Sequence, residues 1–442
     1  VRPTLRGILL AASGAPLALA AAFAPGVWWY WLALTSLSLA ALAADVLLAP
    51  RLGAATVALT LPPRLHVGEP ATGTLTVHPG GRQDWSRRLG RLRLHVDASE
   101  SLHLRAPRYA ERPATRRGTV EVPLALHPTR RGVGEIPAVW LRAAGPLGLM
   151  ERQRTAPLGV AVEVAPNLPG AARDVLSVPS LGVADEGIRV ERFRGDGTEF
   201  ESLRPYTPGD DLRALDWKAS ARLAAPLVRE TRAERNRDVL LAVDAGRLMG
   251  EPLAGVPRLD HAVRASLALA TVAVQVGDRV GFAAFDARLR HFAPPTAGIQ
   301  AVTQLAQTAA RVAYSTEETN FTLALTELAA RQRRRALVVV MTDFVDAVSA
   351  ELLVENLAQT SQDHVVLFVA LRDPALDRLA DAPPETLLDL HRAVVAGELL
   401  QDRATVLARL SQLGIACLDT TPTALSVDLI ERYLVAKRKE LF

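Results

Sequence analysis

The chain has 442 residues, 49% of them apolar and 22% charged, enough for two or three domains with sizeable cores. Its formal net charge is only +4, and a mild excess without a clustered basic face removes the electrostatic case for a nucleic-acid partner. Cys417 is the single cysteine, which excludes an intrachain disulfide; its apolar setting, Gly414 to Leu418, marks it as a strand thiol.

Leu5 to Ala24 is apolar apart from Arg6, Pro25 and Gly26 make a turn, and Val27 to Leu48 is a second apolar run opened by Trp28, Trp29, Tyr30 and Trp31. A bilayer core takes about 20 apolar residues per helix, so residues 5–48 are expected to form a two-pass hairpin in the lipid bilayer. The aromatic cluster suits the headgroup interface. A second apolar run after so short a turn argues against a cleaved signal peptide. Arg2, Arg6 and Arg51 flank the helices while the turn carries no charge, so both flanks and the remainder of the chain are expected in the cytoplasm.

From Ala55 to Pro166 the texture changes to short period-two runs: Thr56 to Leu61, Ala71 to Val77, Arg91 to Val96, Gly118 to Leu126 and Ala138 to Arg142. Separated by Gly80 and Gly81, by Arg130 to Gly132 and by Gly145 to Gly148, they predict a β-sandwich-like module. Pro166 to Gly187 has the composition of a linker, and the charged stretch Arg189 to Arg237 shows almost no periodicity. A structureless segment of that length is expected to wrap another domain or to bind.

Beyond Asp238, apolar strands alternate with helical patterns. The strands are Val239 to Val243, Arg279 to Phe285, Ala336 to Met341, His364 to Ala370 and Ile415 to Leu418. Between or after them come helical patterns at Leu259 to Val276, Gln300 to Val312, Phe321 to Arg333 and Ser426 to Lys439, with a partly helical insertion at Arg372 to Gln401. Continuously apolar strands with helical crossovers predict a parallel sheet covered on both faces. The expected architecture is multi-domain α/β: a transmembrane helical hairpin (1–50), a β-sandwich-like module (51–167), a linker and charged segment (168–237) and a parallel-sheet α/β domain (238–442).

In such a sheet, ligands bind beyond the carboxyl ends of the strands. Asp244 and Asp343 end two strands, and Thr319 lies in an intervening loop. This layout resembles the von Willebrand factor A fold, a Rossmann-like domain whose metal-ion-dependent adhesion site uses Asp-x-Ser-x-Ser, a loop Thr and a second Asp. The run from Asp244 to Leu248 has neither serine and introduces Arg247, so the resemblance implies a degenerate site. No metal and no other cofactor is expected there; a guanidinium, that of Arg247, is expected to pair with Asp244 or Asp343 in the cation's place.

The block from Phe200 through Pro208, Gly209, Asp210, Asp211 and Arg213 to Asp216, Trp217 and Arg222 resembles the signature of the bacterial domain of unknown function 58 family. Further shared features are the membrane hairpin, the turns Thr129 to Gly132 and Gly145 to Leu149, and the closing Arg432 to Lys437. The resemblance implies a von Willebrand A-like protein of the bacterial inner (cytoplasmic) membrane, associated with a MoxR-type AAA+ ATPase. Opposite charges around Trp217 make the block either an ion-pair clamp or a docking surface.

The sequence holds no phosphate loop of the Gly-x-x-x-x-Gly-Lys type, no Gly-x-Ser-x-Gly elbow and no His-Glu-x-x-His. A binding adaptor is therefore expected, not an enzyme. Its partner-binding residues would be Asp244, Arg247, Thr319 and Asp343 at the sheet edge, with Asp210, Asp211, Arg213, Asp216, Trp217 and Arg222 in the block; the client protein is not specified. The alternative is a structural or adhesion component of the cell envelope with an externally facing β-module.

Overall fold

The computed structural model describes residues 1–49, 52–78, 92–102, 110–112, 119–178, 194–207, 215–223, 225–232, 237–344 and 350–439. The chain divides into two compact units, Val1–Ala165 and Pro166–Phe442. The first unit joins the helical hairpin and the β-module, which the sequence texture separates at residue 50.

Unit one opens with β1 (Arg2–Pro3), α1 (Leu5–Ala12), α2 (Gly14–Phe23) and α3 (Trp28–Leu48). The first apolar run is interrupted at Ser13, because Pro16 has no N–H to donate and is tolerated only within a first helical turn. The spans Leu5–Phe23 and Trp28–Leu48 are long and apolar enough to cross a membrane, and with only 11% of each buried they are not core helices of this unit. They support a membrane protein.

The strands that follow are β2 (Thr56–Thr60), β3 (Leu65–His66), β4 (Ala71–His78), β5 (Leu92–Asp97), β6 (Ala110–Arg112), β7 (Val120–Leu126), β8 (Gly132–Ala144) and β9 (Met150–Ala165). One sheet has the order β1-β9-β8-β5-β6 with β3 alongside β9; the other is β2-β4-β7. Leu75, Val77, Val122 and Leu124 of the smaller sheet pack in one core with Leu92, Leu94, Val139 and Leu141 of the larger. Alternation drives this: each strand turns every second side chain inward. The two-residue strands β1 and β3 are too short to leave any periodic signal. The turn expected at Gly80 and Gly81 lies outside the described residues.

Asp45, near the end of α3, ties the helices to the β-module. Its carboxylate accepts the backbone N–H groups of Leu147 (2.7 Å), Leu149 (2.8 Å) and Met150 (2.7 Å). The turn from Gly145 to Gly148 closes around it, and a Cβ on Gly145 would fall 2.3 Å from Asp45 Oδ1. Only glycine fits there.

Unit two begins where a linker was expected, with a helix, α4 (Leu168–Leu176). The Asn167 side chain accepts the Gly170 N–H at 2.7 Å, and the Arg264 guanidinium grips Asp174 through two nitrogens at 2.8 and 2.5 Å. Proline and glycine here belong to a helix start and not to a linker. The charged stretch likewise has structure: β10 (Arg194–Pro205), α5 (Trp217–Leu223) and β11 (Leu227–Arg232), with β10 and β11 antiparallel. This two-stranded ribbon carries charged residues through both strands, so no apolar alternation announces it.

The remaining elements are β12 (Asp238–Asp244), a short hairpin of β13 (Pro252–Leu253) and β14 (Val256–Pro257), α6 (Arg258–Gln275), β15 (Arg279–Phe285), β16 (Leu289–Thr296), α7 (Ile299–Arg311), α8 (Phe321–Arg331), β17 (Ala336–Met341), α9 (Ala350–Asp363), β18 (Val365–Leu371), α10 (Pro374–Asp381), α11 (Leu387–Gln412), β19 (Ala416–Thr420) and α12 (Leu425–Arg438). They form a six-stranded sheet of order β16-β15-β12-β17-β18-β19. All pairings are parallel except that of β16 with β15. The antiparallel edge strand β16 is absent from the sequence reading, because His291, Pro294 and Pro295 break its pattern. Strand order runs outward in both directions from β12, so the crevice between β12 and β17 is the topological switch point of a doubly wound sheet. Each face has its own core. Leu241 and Val243 pack with Leu267, Leu305 and Leu429 of α6, α7 and α12, and Leu240 and Ala242 with Leu325, Leu357 and Leu410 of α8, α9 and α11.

Candidate functional site

Both faces of β12 are covered, so Val239 to Val243 are fully buried and their backbone is held in register with β15 and β17. Parallel register brings the strand ends level. Asp244 lies opposite Phe285 and Val243 opposite Met341, which sets Asp244, Asp286, Thr342 and Asp343 at one edge.

Asp244 is 1% exposed. Its Oδ1 accepts from Thr319 Oγ1 and the Gly246 N–H, both at 2.8 Å, and its Oδ2 from Thr342 Oγ1 at 2.6 Å. Burial pushes its pKa up to about 6; hydrogen bonds from Thr342, Gly246 and Thr319 oppose that rise, and the charge of Asp286 adds to it. At Asp286 burial also pushes upward, but hydrogen bonds from Arg290 and Arg288 and the Arg290 charge outweigh it and hold the carboxyl below the usual range. The Arg290 guanidinium donates to Asp286 Oδ1 at 2.7 Å and to Glu317 Oε2 at 2.7 Å. Two neighbouring carboxylates thus differ because only one has a cation.

Asp343 has two. Arg258 Nε, at the start of α6, donates to Oδ2 at 3.0 Å, and Arg403 Nη1, from α11, donates to Oδ1 at 2.7 Å. Arg403 also reaches Asp419 Oδ1 with Nη2 at 2.8 Å, and its guanidinium lies over the Phe344 ring at 5.4 Å. Planar forks of this kind suit arginine.

Arg247 does not take the part expected of it. Its backbone N–H donates to Glu317 O at 2.8 Å, and its guanidinium turns outward to Glu318 Oε1 at 3.3 Å, with more than half of the side chain in solvent. Arg258 and Arg403 supply the counter-charge at Asp343, while Asp244 is satisfied by hydroxyl and backbone donors. The structure therefore brings Asp244, Thr319 and Asp343 together, and adds Thr342, Arg258 and Arg403, which sequence reasoning missed. Thr342 was visible as the neighbour of Asp343; the two arginines carry no local signal, since they come from 85 and 60 residues away.

The donor set does not fit a divalent cation. Both oxygens of Asp343 face guanidinium groups, so a divalent cation there would meet two fixed positive charges. At Gly246, where the adhesion-site pattern has its first serine, a Cβ would lie 2.2 Å from Thr319 Oγ1. No serine fits in that place without moving Thr319.

Of the charged block, Asp210, Asp211 and Arg213 lie outside the described residues. Asp216 caps α5, its Oδ1 accepting the N–H groups of Lys218 (3.1 Å) and Ala219 (3.0 Å). Trp217 is 72% exposed and Arg222 is exposed as well.

Residues 202–402 match the family described as "Protein of unknown function DUF58". Two proteins described as uncharacterised, one from Mycobacterium bovis and one from Mycobacterium tuberculosis, are each 28% identical over 203 residues, which is 46% of this chain and 63% of theirs. The chain thus spans less than two thirds of the length of these relatives. Among solved structures, the conserved hypothetical protein BatB from Bacteroides thetaiotaomicron is 16% identical, covering 46% of this chain and 99% of that one at a TM-score of 0.31. An aerotolerance-related membrane protein from Bacteroides fragilis is 19% identical, covering 40% and 98% at 0.23. Scores this low leave the fold assignment to the strand order itself. Residues 202–402, a little under half of the chain, thus match the DUF58 family, and this match supports membership in it.

Proposed function

We propose that this is a membrane-anchored binding adaptor whose second unit is a von Willebrand A-like domain, and that its partner is a MoxR-type AAA+ ATPase acting in the assembly or activation of another protein. Binding in place of catalysis is part of the proposal. One observation carries it. The strand-tip carboxylates at the switch point are held by the protein's own arginines and threonines, while Arg247 and Glu318 beside them stand in solvent. Such a rim is shaped to be read by another macromolecule.

Two further surfaces support the reading. Trp217 is a large exposed aromatic on α5, of the residue type favoured at interface hot spots. Leu387, Leu388, Val394 and Val395 are exposed along the first half of α11, and its second half carries Arg403 into the site. The same proposal sets the hairpin in the inner membrane with both soluble parts in the cytoplasm, as the flanking Arg2, Arg6 and Arg51 direct.

The test is co-purification of the full chain from detergent, compared with Arg247→Glu and Trp217→Ala variants. Enrichment of an AAA+ ATPase with the wild type and its loss with Arg247→Glu is the expected result. Equal recovery with both, or none above an empty-detergent control, overturns it. A reporter fused after Phe442 tests orientation separately. A cytoplasmic signal is expected, and an external one transfers the reading to an envelope component.

A further inference from the structure

The outward face of the β-module holds a cleft that the adaptor reading does not use. While Leu92, Leu94, Val139 and Leu141 turn into the sandwich core, the alternate residues of β5, β8 and β9 line a hollow of about 300 Å³ bounded by Arg93, His95, Asp97, Trp140, Arg142 and Gln153.

The register orders these residues by charge. Arg93 stands opposite Arg142, which in turn stands opposite Gln153; His95 stands opposite Trp140; Asp97 stands opposite Ala138. One end of the hollow is therefore basic, the middle aromatic and the other end acidic. Among the described residues, the Arg142 guanidinium, the Trp140 indole N–H and the Asp97 carboxylate have no hydrogen-bond or ion-pair partner, and Gln153 Oε1 is buried without one; Arg93 and His95 have other partners and serve as walls. Gln153 can turn its amide to present either a donor or an acceptor.

The distance between the two ends identifies the ligand. At a strand rise of about 3.4 Å per residue, position 93 is roughly 13 to 14 Å from position 97. An extended peptide of about four residues has that length between its termini. We infer that the cleft binds a short zwitterionic peptide in extended form, its carboxylate between Arg142 and Gln153, its ammonium toward Asp97 and its middle against the Trp140 ring. A guanidinium takes a carboxylate in a forked pair, and the half-exposed indole offers both an apolar face and one N–H donor.

Calorimetry on the full chain in detergent, with tetraalanine carrying free ends as probe, tests this. Saturable heat is expected, weakened about tenfold or more by Arg142→Gln and by amidation of the probe's carboxyl terminus, the loss of a charge-assisted pair being worth at least that factor. Acetylation of the amino terminus and Asp97→Asn weaken binding from the other end. Both substituted side chains are on the outer face, so an unchanged unfolding midpoint confirms that the variants are folded. No saturable heat with the free-ended probe overturns the inference, as does equal binding of the amidated probe or of the Arg142→Gln variant.

Discussion

Arg403 Nη1 donates to Asp343 Oδ1 across 2.7 Å, with 13% and 5% of the two side chains exposed. Stripping a buried charge of its whole compensation costs about 3–5 kcal/mol; without Arg403, Asp343 still keeps Arg258 at 3.0 Å, so the cost falls below that range. Arg403→Met is therefore expected to lower the unfolding free energy of the detergent-solubilised chain, followed by urea titration, by about 1–3 kcal/mol. Arg247→Ala removes an ion pair whose side chains are 56% and 84% exposed, and is expected to change stability by less than about 1 kcal/mol. If the two variants destabilise equally, the counter-charge of Asp343 has been misassigned.

The same geometry predicts the response to divalent cations. Mg²⁺ needs oxygen ligands in near-octahedral order, and both oxygens of Asp343 are already held by the guanidinium groups of Arg258 and Arg403. Titration of the full chain with Mg²⁺ or Mn²⁺ is expected to give no saturable heat. Micromolar binding that disappears in Asp244→Ala would show that the strand-tip site takes a metal despite Arg258 and Arg403.

What the sequence made legible, and what it hid, follows from the range of the forces involved. Val239 to Val243 and Ala336 to Met341 announce themselves because strands buried on both faces are apolar at every position. The carboxylates that end or follow them, Asp244 and Asp343, are legible by the same token, since a charge at the end of such a run lies at the sheet's edge. Arg258 and Arg403 were hidden because an arginine on a helix reads as a solvated side chain until tertiary packing brings a carboxylate to it. Arg247 is nearer to Asp244 in sequence, but its backbone is pinned to Glu317 and its side chain turns to Glu318. Helix α4 was obscured by its proline and glycine, although Asn167 followed by Leu168 and Pro169 is a helix-start pattern.

The buried, cation-free setting of Asp244 makes stability depend on pH. Its folded pKa of about 6 exceeds the ordinary value of 3.8, so the folded state holds a proton that the unfolded state has released. Stability is then lost as pH rises from about 4 through about 6, by a total on the order of 3 kcal/mol. His261 and His364, with pKa values lowered by burial, act in the opposite sense, losing stability as pH falls below the ordinary imidazole value. Their contribution is common to wild type and Asp244→Asn, so the difference between the two isolates Asp244. The variant's advantage in unfolding midpoint is expected to grow as pH is raised from about 4 to about 7. A flat difference would mean that Asp244 is ionised across the whole range.

The attachment of α3 to the β-module gives a prediction that reads out residue by residue. Asp45 is the acceptor for three backbone N–H groups, those of Leu147, Leu149 and Met150, and is itself fully buried. Asp45→Ala leaves three donors without a partner, each costing about 1–3 kcal/mol where water does not reach it. Asp45→Asn keeps an acceptor but sets an NH₂ group against one or more of the same donors, so it is expected to fall between wild type and alanine. Gly145→Ala attacks the same joint sterically, by driving a methyl group into the Asp45 carboxylate. Hydrogen exchange on the full chain is the discriminating measurement. Faster exchange at residues 147, 149 and 150 in all three variants, with the β5–β8 ladder still protected, is expected. Uniform loss of protection would make Asp45 a determinant of the whole unit's stability, while unchanged exchange at these three amides would remove it from the joint altogether.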